Sequence, residues 1–218
     1  MGDFLTALVD SWPLFLEAAG RTLALSAVAL VLALPLGALV SGLAMSKIRP
    51  LRWFAAGYIG LIRGTPLITQ IFILYFGLTI VLLLPGFWAA SIALAFHNSA
   101  YIAEIIRSGF QSVPKGLDEA SRSLGMSWSR TLLRVRGPLA FRTALPALAN
   151  QFIIAVKDSS LAAFVTVDEL FQVALRLTAS TYEPMTYYVI VAFYYLAIVL
   201  VLTLVVNRLE RALSKHRR

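Results

Sequence analysis

The chain has no cysteine and only two histidines among its 218 residues, and just 14% of it is charged. Without cysteine there is no disulfide and no thiolate metal site. The two histidines stand apart, His97 in an apolar run and His216 in the tail, so they offer no metal site either. No G-x-x-x-x-G-K-[ST] occurs, so the chain lacks the usual loop for cradling nucleotide phosphates. A soluble domain carries about 25% charged and 45–50% apolar residues. This one is 59% hydrophobic, with a mean hydropathy of +0.80. An ordinary cytosolic enzyme, a nucleic-acid binder and a disordered regulator are therefore poor fits. Acidic residues are the scarcer charge, 11 against 19 Lys+Arg, for a net of +8.

What is present is a set of long uncharged runs. A bilayer-crossing helix needs roughly 20 mostly apolar residues. Residues 22–43 are charge-free and give a first span of about 22–44. The uncharged stretch between Arg63 and Glu104 is too long for one helix, and Pro85-Gly86 is a natural turn inside it. It divides into spans of about 53–84 and 88–107. Residues 185–207 are a last span. Between them, Arg142 and Lys157 bracket a run too short to cross alone; a helix over 143–165, with Lys157-Asp158 inside the membrane, is the simplest reading. This is an all-α membrane protein of five spans, one transmembrane domain over 1–218, with a polar loop at 109–138.

Five spans put the termini on opposite sides. Lys47, Arg49 and Arg52 lie in one loop, and Arg107, Lys115, Arg122, Arg130, Arg134, Arg136 and Arg142 in another. Arg208, Arg211, Lys215, Arg217 and Arg218 lie in the tail. All fall on one side of the bilayer. Arg21 and Arg176 face the other, beside Asp3, Asp10, Glu17, Asp168, Glu169 and Glu183. Basic loops stay cytoplasmic, which places the N-terminus outside and the C-terminus inside. The positive charge reports topology; a nucleic-acid patch would not be split among three loops. No basic stretch followed by a short apolar run opens the chain, which argues against a cleaved signal peptide. No internal repeat is evident.

The loop at 115–137 reads as two short helices, about 116–123 and 127–135. Gly125 between them suits the positive φ of a helix C-cap, and Ser127 suits an N-cap. Ala120 and Ser121 would let the first helix lie close against a partner. An amphipathic helix on anionic lipid is the alternative. Glu119-Ala120, then Gly125, then Pro138 resembles the EAA loop of ATP-binding-cassette importer permeases. Phe110-Gln-Ser-Val-Pro-Lys-Gly116 is similar to that family's lead-in. Arg63-Gly64-Thr65-Pro66-Leu67, Ala100-Tyr101-Ile102-Ala103-Glu104-Ile105 and Val156-Lys157-Asp158-Ser159-Ser160-Leu161 resemble three further motifs, of its polar amino-acid branch. The resemblance is collinear from about residue 11 to 211. Arg136-Gly137 stands where the family commonly has two aliphatic residues, and Ser159 where it usually has Thr.

The resemblance implies a type I importer permease fold in a bacterial plasma (inner) membrane. It implies a coupling helix carrying Glu119, Ala120, Ser121, Leu124 and Gly125 that seats in a cytoplasmic ATPase dimer. ATP and Mg²⁺ would bind to that ATPase, with no cofactor in this chain. The implied partners are a second permease copy, by preference the same chain, and a soluble binding protein outside. The substrate class is histidine, glutamine, arginine, cystine or opines. Asp10-Ser11-Trp12-Pro13-Leu14 and the stretches 63–70 and 157–172 are most similar to cystine-type permeases.

An ionisable residue at bilayer depth costs about 2.5–3.5 kcal/mol on insertion scales and is a functional hypothesis by default. Arg63, His97, Glu104, Lys157 and Asp158 qualify. Lys157 and Asp158 point about 100° apart on a regular helix. They either pair elsewhere, for instance Arg63 with Asp158 and Lys157 with Glu104, or meet the ammonium and carboxylate of a substrate. Arg63-Gly64-Thr65-Pro66 interrupts its span: Pro66 has no N–H, which frees the carbonyl near residue 62. That is a packing kink or a ligand-lining break, with Thr65 and Gln70 beside it. His97, Tyr101 and Glu104 share a helix face at i, i+4 and i+7. With Asn98 and Ser159 they complete the candidate substrate contacts, although a lone membrane His or Asn also serves helix–helix bonding. Val167-Asp168-Glu169-Leu170-Phe171 reads as a short surface helix outside. Two other classes fit the same composition: an ATP-independent secondary transporter and a non-transporting membrane scaffold.

Overall fold

The computed structural model describes residues 2–78 and 84–214. The end of the predicted 53–84 span falls partly outside them, as do Lys215, His216, Arg217 and Arg218. The elements among the described residues are all helical. They are α1 (Gly2–Ala44), α2 (Arg49–Gly64), α3 (Leu67–Leu78), α4 (Gly86–Gln111), α5 (Lys115–Ser123), α6 (Trp128–Thr131), a π-turn (Leu132–Arg136), α7 (Gly137–Asp158), a 3₁₀ segment (Ser159–Val165), α8 (Leu170–Thr181) and α9 (Pro184–Ser214). Four stretches are long and apolar enough to cross a membrane: Phe4–Ala44, Gly86–Gln111, Trp128–Val165 and Pro184–Arg208. The bent pair α2–α3 makes a fifth if it is one span.

α4 is the hub. Its buried positions include Ala89, Ala90, Ala93, Ala95, Ala100 and Ala103. In lipid there is no hydrophobic drive between helices, and small side chains let backbones approach for close packing. One core joins Leu25 and Ala29 of α1, Leu67 and Ile71 of α3, Leu94 of α4 and Val165 of the 3₁₀ segment. A second joins Phe15, Ala18 and Ala19 of α1 to Leu170 and Val173 of α8 and Ile190 of α9. On α9, by contrast, Phe193, Leu196, Leu200 and Leu204 stay exposed, an apolar face of the kind that meets acyl chains.

The structure departs from the sequence expectations in four places. The first helix begins at Gly2 rather than near residue 22. Asp10, Glu17 and Arg21 are costly in hydrocarbon but do not break a helix, and Arg21 pairs with Glu17 one turn away at 2.8 Å. The second span is two helices meeting at 101°, because Thr65 ahead of Pro66 is extended (φ −114°, ψ 145°). The second loop helix is no separate unit: α6 runs through the π-turn into α7. The fourth span is α-helical only to Asp158. Beyond it Ser159 Oγ and Ser160 Oγ donate to the Val156 and Lys157 carbonyls, each at 2.8 Å, and the chain tightens to 3₁₀ geometry until Thr166 turns it at φ 60°.

Candidate functional site

The α2–α3 break deprives backbone carbonyls of their helical amide partners. The carbonyl freed by Pro66 does not stay open, contrary to the expectation from sequence. Gln70 Nε2 donates to Ile62 O at 2.8 Å, to Thr65 Oγ1 at 2.8 Å and to Thr65 O at 3.2 Å. Thr65 Oγ1 in turn donates to Leu61 O at 2.9 Å. The side chain of Gln70 thus replaces the missing amide of the proline, and the break is built rather than merely kinked.

Gln70 also reaches across to α4, where its Oε1 lies 3.3 Å from His97 Nδ1. The His97 and Tyr101 rings sit 5.2 Å apart between centroids, and the Arg63 guanidinium lies over the Tyr101 ring at 5.2 Å, a cation–π contact. Of the predicted stripe of His97, Tyr101 and Glu104, His97 and Tyr101 stand together, joined by Arg63 from α2 and Gln70 from α3. Glu104, one turn on, is engaged by Arg107 through two hydrogen bonds of 3.0 and 2.6 Å. Asn98 is fully buried: it donates to Leu94 O at 2.7 Å and accepts from Gln151 Nε2 at 2.8 Å. Ser159 is fully buried as well. These two predicted contacts sit inside the helix packing and not on an accessible wall. Gln151, which no motif or spacing singles out in the sequence, holds α7 to α4 from the other side.

Neither pairing offered for the membrane charges forms. Glu104 is taken by Arg107, and neither Lys157 nor Asp158 makes an ion pair among the described residues. Lys157 is exposed and Asp158 half-buried at the end of α7, where the helix gives way to 3₁₀. Two opposite, unpaired charges at a helix end inside a span are a costly arrangement.

The loop between the third and fourth spans is tightly specified. Gly125 adopts φ +73°. Its N–H donates to Arg122 O at 2.9 Å, and Met126 N–H donates to Ser121 O at 3.0 Å. This is the paired bonding of a Schellman cap, which needs a left-handed residue at that point. Ser127 then caps α6, accepting from Arg130 N–H at 3.5 Å. Asp118 of α5 pairs with Arg136 of the π-turn at 3.2 Å, and Arg136 lies over Phe110 at 6.0 Å. The departure Arg136-Gly137 thus has a use: Arg136 ties the loop together. Gly137 donates its N–H to Leu132 O across the π-turn, in the space where a Cβ would lie 2.7 Å from that same oxygen. Glu119, Ala120 and Gly125 are exposed, and Leu124, Trp128 and Leu133 expose 82%, 68% and 73% of their surface. Ser121 instead faces inward, buried and bonded to Leu117 O at 2.7 Å, so the small residue that a partner would meet is Ala120.

On the opposite side, the predicted surface helix at 167–171 is not one. Val167, Glu169 and Leu170 are buried, and α8 starts only at Leu170, with Glu169 as its N-cap accepting from Gln172 N–H at 2.7 Å. Glu169 Oε2 also accepts from Tyr195 Oη of α9 at 2.6 Å, while Thr22 Oγ1 of α1 accepts from Leu170 N–H at 3.1 Å. Burial pushes the Glu169 carboxyl up to about 7, against the hydrogen bonds from Tyr195, the α8 backbone and Thr22 that pull it down. Asp168, beside it, stays out at the surface between Arg21 and Arg176, at 3.1 and 3.3 Å.

An all-helical bundle with a constructed break, unpaired charges within its spans and a polar loop that exposes Leu124, Trp128 and Leu133 is that of an integral-membrane permease component. Residues 33–215 match the family described as binding-protein-dependent transport system inner membrane component. The chain belongs to that family, among its amino-acid ABC transporter permeases. It is 37% identical to the probable glutamine ABC transporter permease protein GlnM of Bacillus subtilis (strain 168), over 95% of this chain and 97% of that one. It is 40% identical to the L-cystine transport system permease protein TcyB of the same organism, over 94% and 88%. The crystal structure of an amino acid ABC transporter with histidines superposes with a TM-score of 0.89 at 36% identity, covering 95% of this chain and 97% of that one. The chain is thus the inner-membrane permease component of a binding-protein-dependent transporter and not its ATPase.

Proposed function

We propose that this permease carries a polar amino acid inward, with L-cystine the first candidate, and that two copies of the chain enclose the path. The observation that carries this is the unpaired Lys157 and Asp158 at the end of α7, with Arg63, Tyr101 and His97 contiguous on α2 and α4. A zwitterion brings one carboxylate and one ammonium, and such a set answers both. Thr65 and Gln70 shape the break beside them. An external binding protein delivers the solute to the side of Asp168 and Glu183. A cytoplasmic ATPase dimer, which binds the ATP and Mg²⁺, grips the loop at Glu119, Ala120, Leu124 and Gly125 from the basic side. On this reading the N-terminus is outside and the C-terminus cytoplasmic. Closing and opening of the ATPase biases the helices between states of different access and affinity. Resemblance in the stretches 63–70 and 157–172, with the 40% identity to a cystine permease, favours cystine; glutamine and basic amino acids are the competing substrates. The test is uptake of radiolabelled cystine by vesicles holding the whole complex, challenged with unlabelled amino acids. Cystine itself is expected to compete most strongly. Failure of excess cystine to compete with an amino acid that is transported would end the cystine assignment.

A further inference from the structure

The hydrogen bonds at the α2–α3 break run in one direction only, and that direction determines where the proton sits on His97. Thr65 Oγ1 spends its hydrogen on Leu61 O, so towards Gln70 it can only accept. Ile62 O and Thr65 O are carbonyls and accept as well. The group of Gln70 facing all three must be its NH₂, since a flipped amide would set oxygen against three acceptors. The carbonyl Oε1 is left for His97, and a carbonyl can only receive. His97 Nδ1 therefore carries the hydrogen, and in the neutral ring Nε2 is then a bare acceptor. Nε2 takes no hydrogen bond among the described residues, yet it is not among the buried polar atoms left without one. The His97 ring stands 5.2 Å from the Tyr101 ring, and the Arg63 guanidinium lies over that Tyr101 ring.

We infer that Gln70 is a positioning residue that locks His97 in its Nδ1–H form, so that Nε2 accepts a hydrogen bond from the ammonium of the substrate. A free histidine side chain favours the proton on Nε2, which would face the ammonium with a donor and repel it. The orientation of the amide is thus a specificity device: the α2–α3 break sets it, and the imidazole reads it out. The neighbouring Arg63 is left for the carboxylate. The ammonium contact rests on the amino-acid reading above; the proton position on the ring does not.

Only two histidines occur in the chain, so nitrogen-15 labelling of histidine in the permease of the whole complex gives two pairs of ring-nitrogen signals, and His216→Gln assigns each pair to its residue. Above about pH 8, where an ordinary imidazole is neutral, His97 is expected to show a protonated Nδ1 and a bare Nε2. Gln70→Glu keeps an acceptor for Nδ1–H and retains that pattern although it loses the donors to Ile62 and Thr65. Gln70→Leu removes the acceptor, and the proton moves to Nε2. The concentration for half-maximal uptake then rises about tenfold, the loss expected for one hydrogen bond to a charged group. A wild-type His97 with its proton on Nε2 overturns the inference with no variant needed. Half-maximal uptake unchanged in a Gln70→Leu complex whose proton has moved overturns the ammonium contact alone. A complex that shows the expected ring pattern but transports no amino acid refutes the substrate reading and leaves the proton position standing.

Discussion

Gly125→Pro abolishes ATP-driven uptake, and Gly125→Ala largely preserves it. The residue sits at φ +73° with no heavy atom within 4 Å of where a Cβ would project. Its role is therefore conformational and not steric. Alanine in a left-handed conformation costs about 1–2 kcal/mol. Proline is fixed near φ −65° and has no N–H, so it cannot adopt the turn and also loses the bond to Arg122 O. The cap that ends α5 and aims α6 is then gone, and Leu124 and Trp128 no longer hold their positions. The expected loss for proline is about a hundredfold or more, as a misfit proline costs about 3 kcal/mol. Uptake and substrate-stimulated ATPase activity of the reconstituted complex are the readout, with the permease still inserted and helical. Equal damage from both substitutions would show that space, not backbone angle, matters there.

Glu169 governs the second large effect, which is on stability. Its carboxyl is fully buried and is raised from 4.5 to about 7, first by desolvation. Between those values the folded chain holds a proton that the unfolded chain has released. The folded state binds more protons, so stability falls as pH rises. It is full below about pH 4.5, declines to about pH 7, and is level above. The total decline is about 3 kcal/mol, since each pH unit between the unfolded and folded values is worth about 1.4 kcal/mol. Glu169→Gln keeps an acceptor for Gln172 N–H and offers a donor to Tyr195 Oη, and it removes the titration. Thermal unfolding of the purified complex between about pH 4.5 and 8 is expected to slope in the wild type and lose that slope in the variant. The same slope in both would mean that the charge change lies elsewhere.

The parts that are legible in the sequence are the local ones. Gly125 and Ser127 announce a cap and a restart because each acts on its own neighbours, and the structure places both as read. Pro66 announces a break for the same reason, and the i, i+4, i+7 spacing puts His97, Tyr101 and Glu104 on one face before any coordinates. What cannot be read are contacts whose members lie far apart in the chain. Asp118 with Arg136, Asn98 with Gln151, and Glu169 with Tyr195 are each ordinary polar residues until folding brings them together. Asn98 is instructive: its place beside His97 marks it as a ligand contact, and a partner 53 residues away turns it inward. Glu169 reads as a surface acid because acids are almost never fully buried; the hydroxyl of Tyr195 and the α8 amides are what make its burial tolerable. The helical extension to Gly2 is hidden because Asp10, Glu17 and Arg21 interrupt the apolar run without ending the helix.

That this chain is a path powered by another polypeptide follows from the proposed function. It is tested most directly by purifying the tagged permease from a cell that expresses its neighbours, then measuring amino-acid uptake into vesicles with and without ATP. The expected result is co-purification of a protein carrying a phosphate loop, and uptake that requires both ATP and the external binding protein. Uptake that persists without ATP and collapses with the ion gradient would contradict the account and identify a secondary transporter, and an assembled complex showing neither uptake nor ligand-stimulated ATPase activity would identify a scaffold.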